Sequence, residues 1–317
     1  MSIVYLLLLF LFGVILLWKS GDWSVISAIR FSEIFQMHGF IIGFLIFSIA
    51  TNLPEIISAI VSSIEKVPEF SSGDLIGSSF VNLTLQLGIT SMIAKKFPIE
   101  ISLRNHLIRN IAFIFVILTL LIFFSQTNFY LGIIITLFYF LSCIWLPKMQ
   151  KLSKINEKPP TDFRFFSPKI DVIIKLICSL ILLAFSAWLT VTSAIQMAKA
   201  LHIPIVYIGA TLMAVGTSLP ELALEIHSIK RKEYGLALGD IFGSSMLNIS
   251  LILGPLFAFN PAFPLVLPKI IYPFFIPVIA LIVFRRFRAY CFTRYDGAIL
   301  IALFILYTLR IAFLGFF

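Results

Sequence analysis

The chain has 317 residues, 60% of them hydrophobic and only 12% charged, with a mean hydropathy of +1.05. This composition excludes a soluble globular domain, whose surface needs more charge than the chain supplies. A net charge of +9 would suggest nucleic acid in a soluble chain, but the placement of the basic residues assigns them to loops flanking a membrane.

Ten apolar runs are long enough to cross about 30 Å of hydrocarbon. They fall at 3–18, 39–64, 75–94, 110–125, 129–146, 172–196, 204–229, 237–258, 270–284 and 297–316. The first has no basic stretch before it and no small-residue cleavage pattern after it, so it reads as a retained helix and not a signal peptide. With the spans taken in order, the loops on one side hold nineteen of the 24 Lys and Arg residues, including Lys95, Lys96, Lys230, Arg231 and Lys232. The opposite loops hold three, Lys66, Lys199 and Lys269. The positive-inside rule puts the first set in the cytoplasm and both termini outside a plasma-membrane protein. Cys143, Cys178 and Cys291 lie far apart, show no disulfide or metal spacing, and read as packing residues. The four histidines are scattered, and no Gly-rich phosphate loop is present.

The second span is interrupted. Residues 50–60 read ATNLPEIISAI and place Thr51, Asn52, Pro54 and Glu55 at its middle, where a carboxylate costs a few kcal/mol, on the order of 3, and usually serves a site. The same segment recurs: 51–82 aligns without a gap to 217–248, at a constant offset of 166, with thirteen of 32 positions identical. The offset carries Thr51 to Thr217, Asn52 to Ser218, Glu55 to Glu221, Asp74 to Asp240, Ser78 to Ser244 and Asn82 to Asn248. Each copy occupies the second and third span of a five-span half. Because five is odd, the halves enter the membrane from opposite sides. The expected fold is an all-α membrane protein of ten transmembrane helices, in two inverted five-helix repeats with helices 2 and 7 interrupted, the architecture of many secondary transporters. The halves are 1–147 and 170–317, joined by a basic cytoplasmic linker at 148–169.

Pro54 and Pro220 lack an N–H, which frees carbonyls near Ala50 and Gly216 and loosens those of Ser48 and Ala214. Thr51 with Glu55, and Thr217 with Glu221, stand at i, i+4 on one helix face. Two such faces together offer two carboxylates and several neutral oxygens, near the six to eight oxygens a hard ion such as Ca²⁺ takes. Asp74, Ser78 and Asn82 form an i, i+4, i+8 stripe, as do Asp240, Ser244 and Asn248. The two Asp residues read either as cation attractors at the two mouths or as N-terminal helix caps. The Gly-Ser-Ser runs at 77–79 and 243–245 read equally as site or as close helix packing. Glu225, one turn beyond Glu221, has no counterpart, since Ala59 holds the matching place; it lines the cytoplasmic passage or faces solvent.

These motifs, TNLPE with GDLIGSSFVN and GTSLPE with GDIFGSSMLN, resemble the cation/Ca²⁺ exchanger superfamily, and within it the prokaryotic sodium/calcium exchangers. The resemblance implies Glu55 and Glu221 as central Ca²⁺ carboxylates, with oxygens from Thr51 and Thr217. It implies flanking Na⁺ sites from Ser78, Ser244 and the carbonyls of Ser48 and Ala214, with Asn82 and Asn248 beside the centre, and a first and sixth span that slide across the core. Two features depart from it. Asn82 and Asn248 leave no third central carboxylate, and Asn52 replaces the usual Ser, as in the proton-coupled branch. The expected activity is antiport of Ca²⁺ against Na⁺, the alternatives being H⁺/Ca²⁺ or other divalent antiport and, less favoured, a passive channel. Neither enzyme chemistry nor a cofactor is expected; the partners are Ca²⁺, Na⁺ and lipid, without nucleic acid.

Overall fold

The computed structural model describes residues 3–35, 37–64, 66, 68–124, 126–144, 146, 168–200, 215, 218–262, 267–288 and 291–315. Chains in hydrocarbon must satisfy every backbone N–H internally, and these runs do so as helices. In order they are α1 (Ile3–Phe35), α2 (Gly39–Thr51), α3 (Leu53–Ile64), α4 (68–94), α5 (Ile101–Phe123), α6 (Phe129–Ile144), α7 (Pro168–Ala200), α8 (Leu219–Lys230), α9 (Tyr234–Phe259), α10 (Leu267–Arg288) and α11 (Arg294–Gly315). The chain is an all-α membrane protein. Among the described residues, Val4–Phe31, Ser71–Ala94, Leu103–Phe123 and Tyr234–Phe259 are each long and apolar enough to cross a bilayer alone. The exception to the helical reading is a two-stranded antiparallel ribbon, β1 (Lys96–Pro98) with β2 (Cys291–Thr293), in which Phe97 faces Phe292. Strands of three residues leave no periodic signal in a sequence.

Several helices outrun their apolar cores. α1 and α7 each have 33 residues, where spans at 3–18 and 172–196 are expected. Lys19 and Arg30 therefore lie on α1 and not in a loop. The reason is a stripe of small residues, Ser20, Ser24, Ser27 and Ala28, which lowers hydropathy but is buried by packing. α1 runs along α7, and Gly21 of α1 meets Ala223 of α8 so closely that a Cβ there would stand 3.3 Å from the Ala223 Cβ.

The offset of 166 recurs in the element boundaries: α3, Leu53–Ile64, has its counterpart in α8, Leu219–Lys230. Immediately before each helix the backbone leaves helical geometry, at Asn52 (φ −85, ψ 12) and at Ser218 (φ −83, ψ 4). Pro54 and Pro220 are thus the second residues of their helices, where a missing N–H is harmless. They start helices and do not kink one from within. After the helices the chain turns through left-handed lysines, Lys66 at φ 59 and Lys232 at φ 61, again 166 apart. π-helical turns lie inside α2 (Ile42–Phe47), α4 (Asn82–Gln86) and α9 (Leu247–Ile252), a deformation common at functional sites.

α4 and α9 form the centre, with 78% and 83% of their apolar windows buried against 25% for α1. The helices of one half pack into the other. α2 lies on α9 at Gly243, where a Cβ would stand 2.7 Å from the Cα of Phe44. α6 crosses α9 where Gly132 meets Gly254, and α11 crosses α4 where Gly88 meets Gly297. The last two contacts have bare backbone on both sides.

Candidate cation-binding site

The two breaks place Glu55 and Glu221 in the first turns of α3 and α8, where free N–H groups and the helix dipole favour negative charge. Both side chains are 0% exposed. Glu55, Asp240 and Glu225 are all close enough to Glu221 to act on it electrostatically. The Glu221 carboxylate reaches its own backbone N–H, and neither oxygen has another hydrogen-bond partner among the described residues. A buried carboxylate in that state costs several kcal/mol, roughly 3–5, unless a cation joins it. No three His, Cys, Asp or Glu side chains among the described residues form a metal cluster by themselves. A cation held here would have to complete its shell with neutral oxygens.

Those oxygens surround the breaks. Asn52 turns its Nδ2 toward two acceptors, donating to the Ser48 carbonyl at 2.7 Å and to the Ser244 hydroxyl of α9 at 2.8 Å. This leaves its Oδ1 buried and without a hydrogen-bond partner. The Ser48 carbonyl, expected to be loosened by Pro54, also keeps its backbone bond from Asn52 N at 3.2 Å. Thr51 donates its hydroxyl to the Phe47 carbonyl at 2.9 Å, so only lone pairs remain for any other contact. In the second half Ser218 donates its hydroxyl to Asn82 Oδ1 of α4 at 3.3 Å. Each break is therefore fastened to the central helix of the opposite half. Asn248 is fully buried, and neither its amide oxygen nor its nitrogen has a partner among the described residues.

Ser78 and Ser244 lie inside α4 and α9 and donate to Asp74 and Asp240, one turn back, at 3.5 Å in both cases. Both aspartates are buried, at 1% and 0% exposure, and the capping reading is corrected. The helices begin at Pro68 and Tyr234, six residues upstream, so the aspartates cap nothing. Thr217 and Ala214, and with them one expected hydroxyl and one expected carbonyl, lie outside the described residues.

A family model described as "Sodium/calcium exchanger protein" matches residues 5–147 and 172–313. The chain belongs to the sodium/calcium exchanger family. The exchanger is 33% identical over 259 residues to an uncharacterized membrane protein of Methanocaldococcus jannaschii, covering 80% of this chain and 82% of that one. It is 29% identical over 293 residues to the sodium/calcium exchanger MaX1 of Methanosarcina acetivorans, covering 78% and 81%. Its fold is similar to that of the sodium-calcium exchanger NCX_Mj soaked with Na⁺ and Sr²⁺, at a TM-score of 0.80 and 26% identity over 96% of this chain and 98% of the other. Family and fold are those of a membrane transporter for cation/Ca²⁺ exchange.

The exchanger also carries a polar residue at the site that the sequence reading passed over. Gln86, fully buried in the π-helical turn of α4, donates Nε2 to the Ser218 carbonyl at 2.9 Å and leaves Oε1 without a partner. It extends the Asp74, Ser78, Asn82 stripe by one further step of four. Its repeat partner is Ile252, so comparison of the two halves hides it.

Proposed function

We propose that the exchanger is a secondary active antiporter that moves Ca²⁺ against Na⁺ across the plasma membrane by alternating access, with both termini outside. Its ten spans would form two inverted repeats, 1–147 and 170–317, joined by the linker at 148–169. The offset of 166 in sequence and in helix boundaries supports the repeats, and the loop charges support the orientation.

The observation that carries the function is the buried Glu55 and Glu221 pair, set at two symmetric helix breaks and acting on each other electrostatically. Empty, such a pair resists passing behind a hydrophobic barrier; neutralised by one Ca²⁺, by Na⁺ or by protons, it can pass. Exchange is thus coupled because the ions compete for the same oxygens. Thr51, Thr217, Asn52, Ser218, Asn82 and Asn248 would complete the central shell, with Ser78, Ser244 and the Ser48 and Ala214 carbonyls flanking it. Two carboxylates held by broken helices suit a site opened alternately to either side better than a continuous pore.

One observation favours a second reading, H⁺/Ca²⁺ antiport. The Asn52 amide spans the Ser48 carbonyl and the Ser244 hydroxyl, two oxygens assigned above to Na⁺. ⁴⁵Ca²⁺ uptake into proteoliposomes, with an outward Na⁺ or an outward proton gradient at matched membrane potential, separates the two. Uptake driven by Na⁺ is expected. Uptake driven only by protons assigns the coupling to them, and uptake indifferent to any trans ion overturns antiport altogether.

A further inference from the structure

The two limbs leading away from the central pair are built differently. On α8, Glu225 lies one turn beyond Glu221 on the same face. It is 0% exposed, and neither of its carboxylate oxygens has a hydrogen-bond partner among the described residues. Asp240, on α9, acts electrostatically on both Glu221 and Glu225. Its Oδ1 accepts from Ser244 at 3.5 Å, while Oδ2, also buried, has no partner.

The basic residues at the end of α8 are engaged with α1 instead. His227 Nδ1 and Arg231 both reach Asp22, at 3.4 and 2.9 Å, and the Lys230 ammonium stands over the Trp18 ring at 4.8 Å. Two carboxylates are thus enclosed with no hydrogen bond to a basic group among the described residues. A pair in that condition is stabilised by a cation, and carboxylate oxygens suit a hard one.

The repeat-related limb keeps the aspartate, Asp74, which is likewise buried and accepts from Ser78 at 3.5 Å, but it lacks the glutamate. Ala59 stands where Glu225 would be, and Ile252 where Gln86 would be. Ile56, Ala59, Ile60, Leu251, Ile252 and Leu256 line part of an apolar cavity of about 450 Å³ there. Inverted repeats with identical limbs would treat both sides of the membrane alike. Here one limb carries two buried carboxylates and the other a single one.

We propose that Glu225 and Asp240 form a second cation station, on the limb that opens toward Lys230, Arg231 and Lys232, which holds a Ca²⁺-class divalent ion on its way to or from Glu221. The proposal rests on the cation-exchange reading above. The station lowers the Ca²⁺ concentration needed on that face, while the opposite limb, with Asp74 and no second carboxylate, offers no matching pair.

Two experiments on the full-length protein test it. In oriented proteoliposomes, Glu225→Ala, which installs the residue of the other repeat, should raise the half-saturating Ca²⁺ on the Lys230–Lys232 face by on the order of tenfold, because Ca²⁺ affinity follows the number of charged ligands. The opposite face should stay unchanged. An equal change on both faces, no change, or a shift in pH dependence at constant Ca²⁺ half-saturation overturns the station. The second experiment does not need transport. In detergent, the Glu55→Gln/Glu221→Gln double variant should retain one ⁴⁵Ca²⁺ site, and adding Glu225→Ala, or Glu225→Gln should the first prove unstable, should remove it. No residual site, or one that survives both substitutions, also overturns the station. Absence of Ca²⁺ exchange in the wild-type protein would refute the functional reading separately.

Discussion

Ser20 and Ser186 share a hydrogen bond of 3.2 Å between their hydroxyls, and they are 166 residues apart. The same separation relates Ser79 to the Ser245 carbonyl, which it reaches at 3.2 Å. A residue touches its own repeat partner only where the operation relating the repeats passes between them. One such point lies between α1 and α7, and another lies between α4 and α9 in the core. The fold is thus organised as a peripheral pair, α1 with α7, laid against a core whose helices interlock through glycine contacts.

If the peripheral pair moves as a unit, a link within it is harmless and a link to the core is not. With Cys143, Cys178 and Cys291 replaced by Ser, cross-linking Ser20→Cys to Ser186→Cys should leave exchange intact. Cross-linking Asp22→Cys to Arg231→Cys, which replaces the 2.9 Å ion pair between α1 and α8, should stop it, and reduction should restore it. Exchange measured before and after the cross-linker decides the matter. Inhibition by the Ser20 to Ser186 link would mean that α1 and α7 move against each other.

Glu55 and Glu221 are the carboxylates that stand in the first helical turn after each break. Glu55→Gln and Glu221→Gln keep the volume and should fold, yet each should reduce Ca²⁺ flux to background, because one remaining carboxylate cannot balance a divalent ion. The measurement is initial ⁴⁵Ca²⁺ uptake normalised to folded protein. Flux near normal in both variants would sink the assignment of the pair as the transport site.

The helix breaks and the central glutamates were legible because a repeat preserves polar residues at membrane depth while the apolar ones drift. What escaped has physical reasons. The stretch around Ser20 and Ser24 reads as polar by hydropathy but is buried between helices, so the first span was expected to be half its actual length. The Ser and Gly residues before Asp74 likewise suggested a helix start at 75, and α4 begins seven residues earlier. Gln86 is masked by an apolar repeat partner. The contacts from Asn52 to Ser244 and from Ser218 to Asn82 join residues 192 and 136 apart, and no local pattern encodes such pairs.

Gly243 belongs to the packing and the site together. Its missing Cβ lets α9 approach Phe44, and that approach brings the neighbouring Ser244 to Asn52. Gly243→Ala must push the backbones apart, since the new atom would lie 2.7 Å from a Cα that cannot rotate away. The expected loss is about 1–3 kcal/mol of stability, read as a lowered Tm in detergent, accompanied by weaker ion binding. A variant with unchanged Tm and unchanged affinity would show that α2 and α9 are not held by this contact.

Asn52 offers the sharpest test of which ion is coupled. Its amide donates to the Ser48 carbonyl and the Ser244 hydroxyl at 2.7 and 2.8 Å, distances at which no ion fits between them. Asn52→Ser installs the residue that the second repeat carries at Ser218 and frees both oxygens from the amide, the Ser48 carbonyl keeping its backbone bond, at a cost of about 1 kcal/mol for the lost hydrogen bonds. If the amide stands where a Na⁺ would bind, the variant should show a steeper dependence of Ca²⁺ uptake on the outward Na⁺ gradient than the wild-type protein and a weaker dependence on the proton gradient. The reciprocal substitution, Ser218→Asn, should make Na⁺ dependence shallower by placing a second amide at the other break. An identical Na⁺ Hill coefficient in wild type and Asn52→Ser would mean that the amide holds the break together without standing in for an ion. The coupling would then have to be sought at Asn248, whose amide is left unengaged among the described residues.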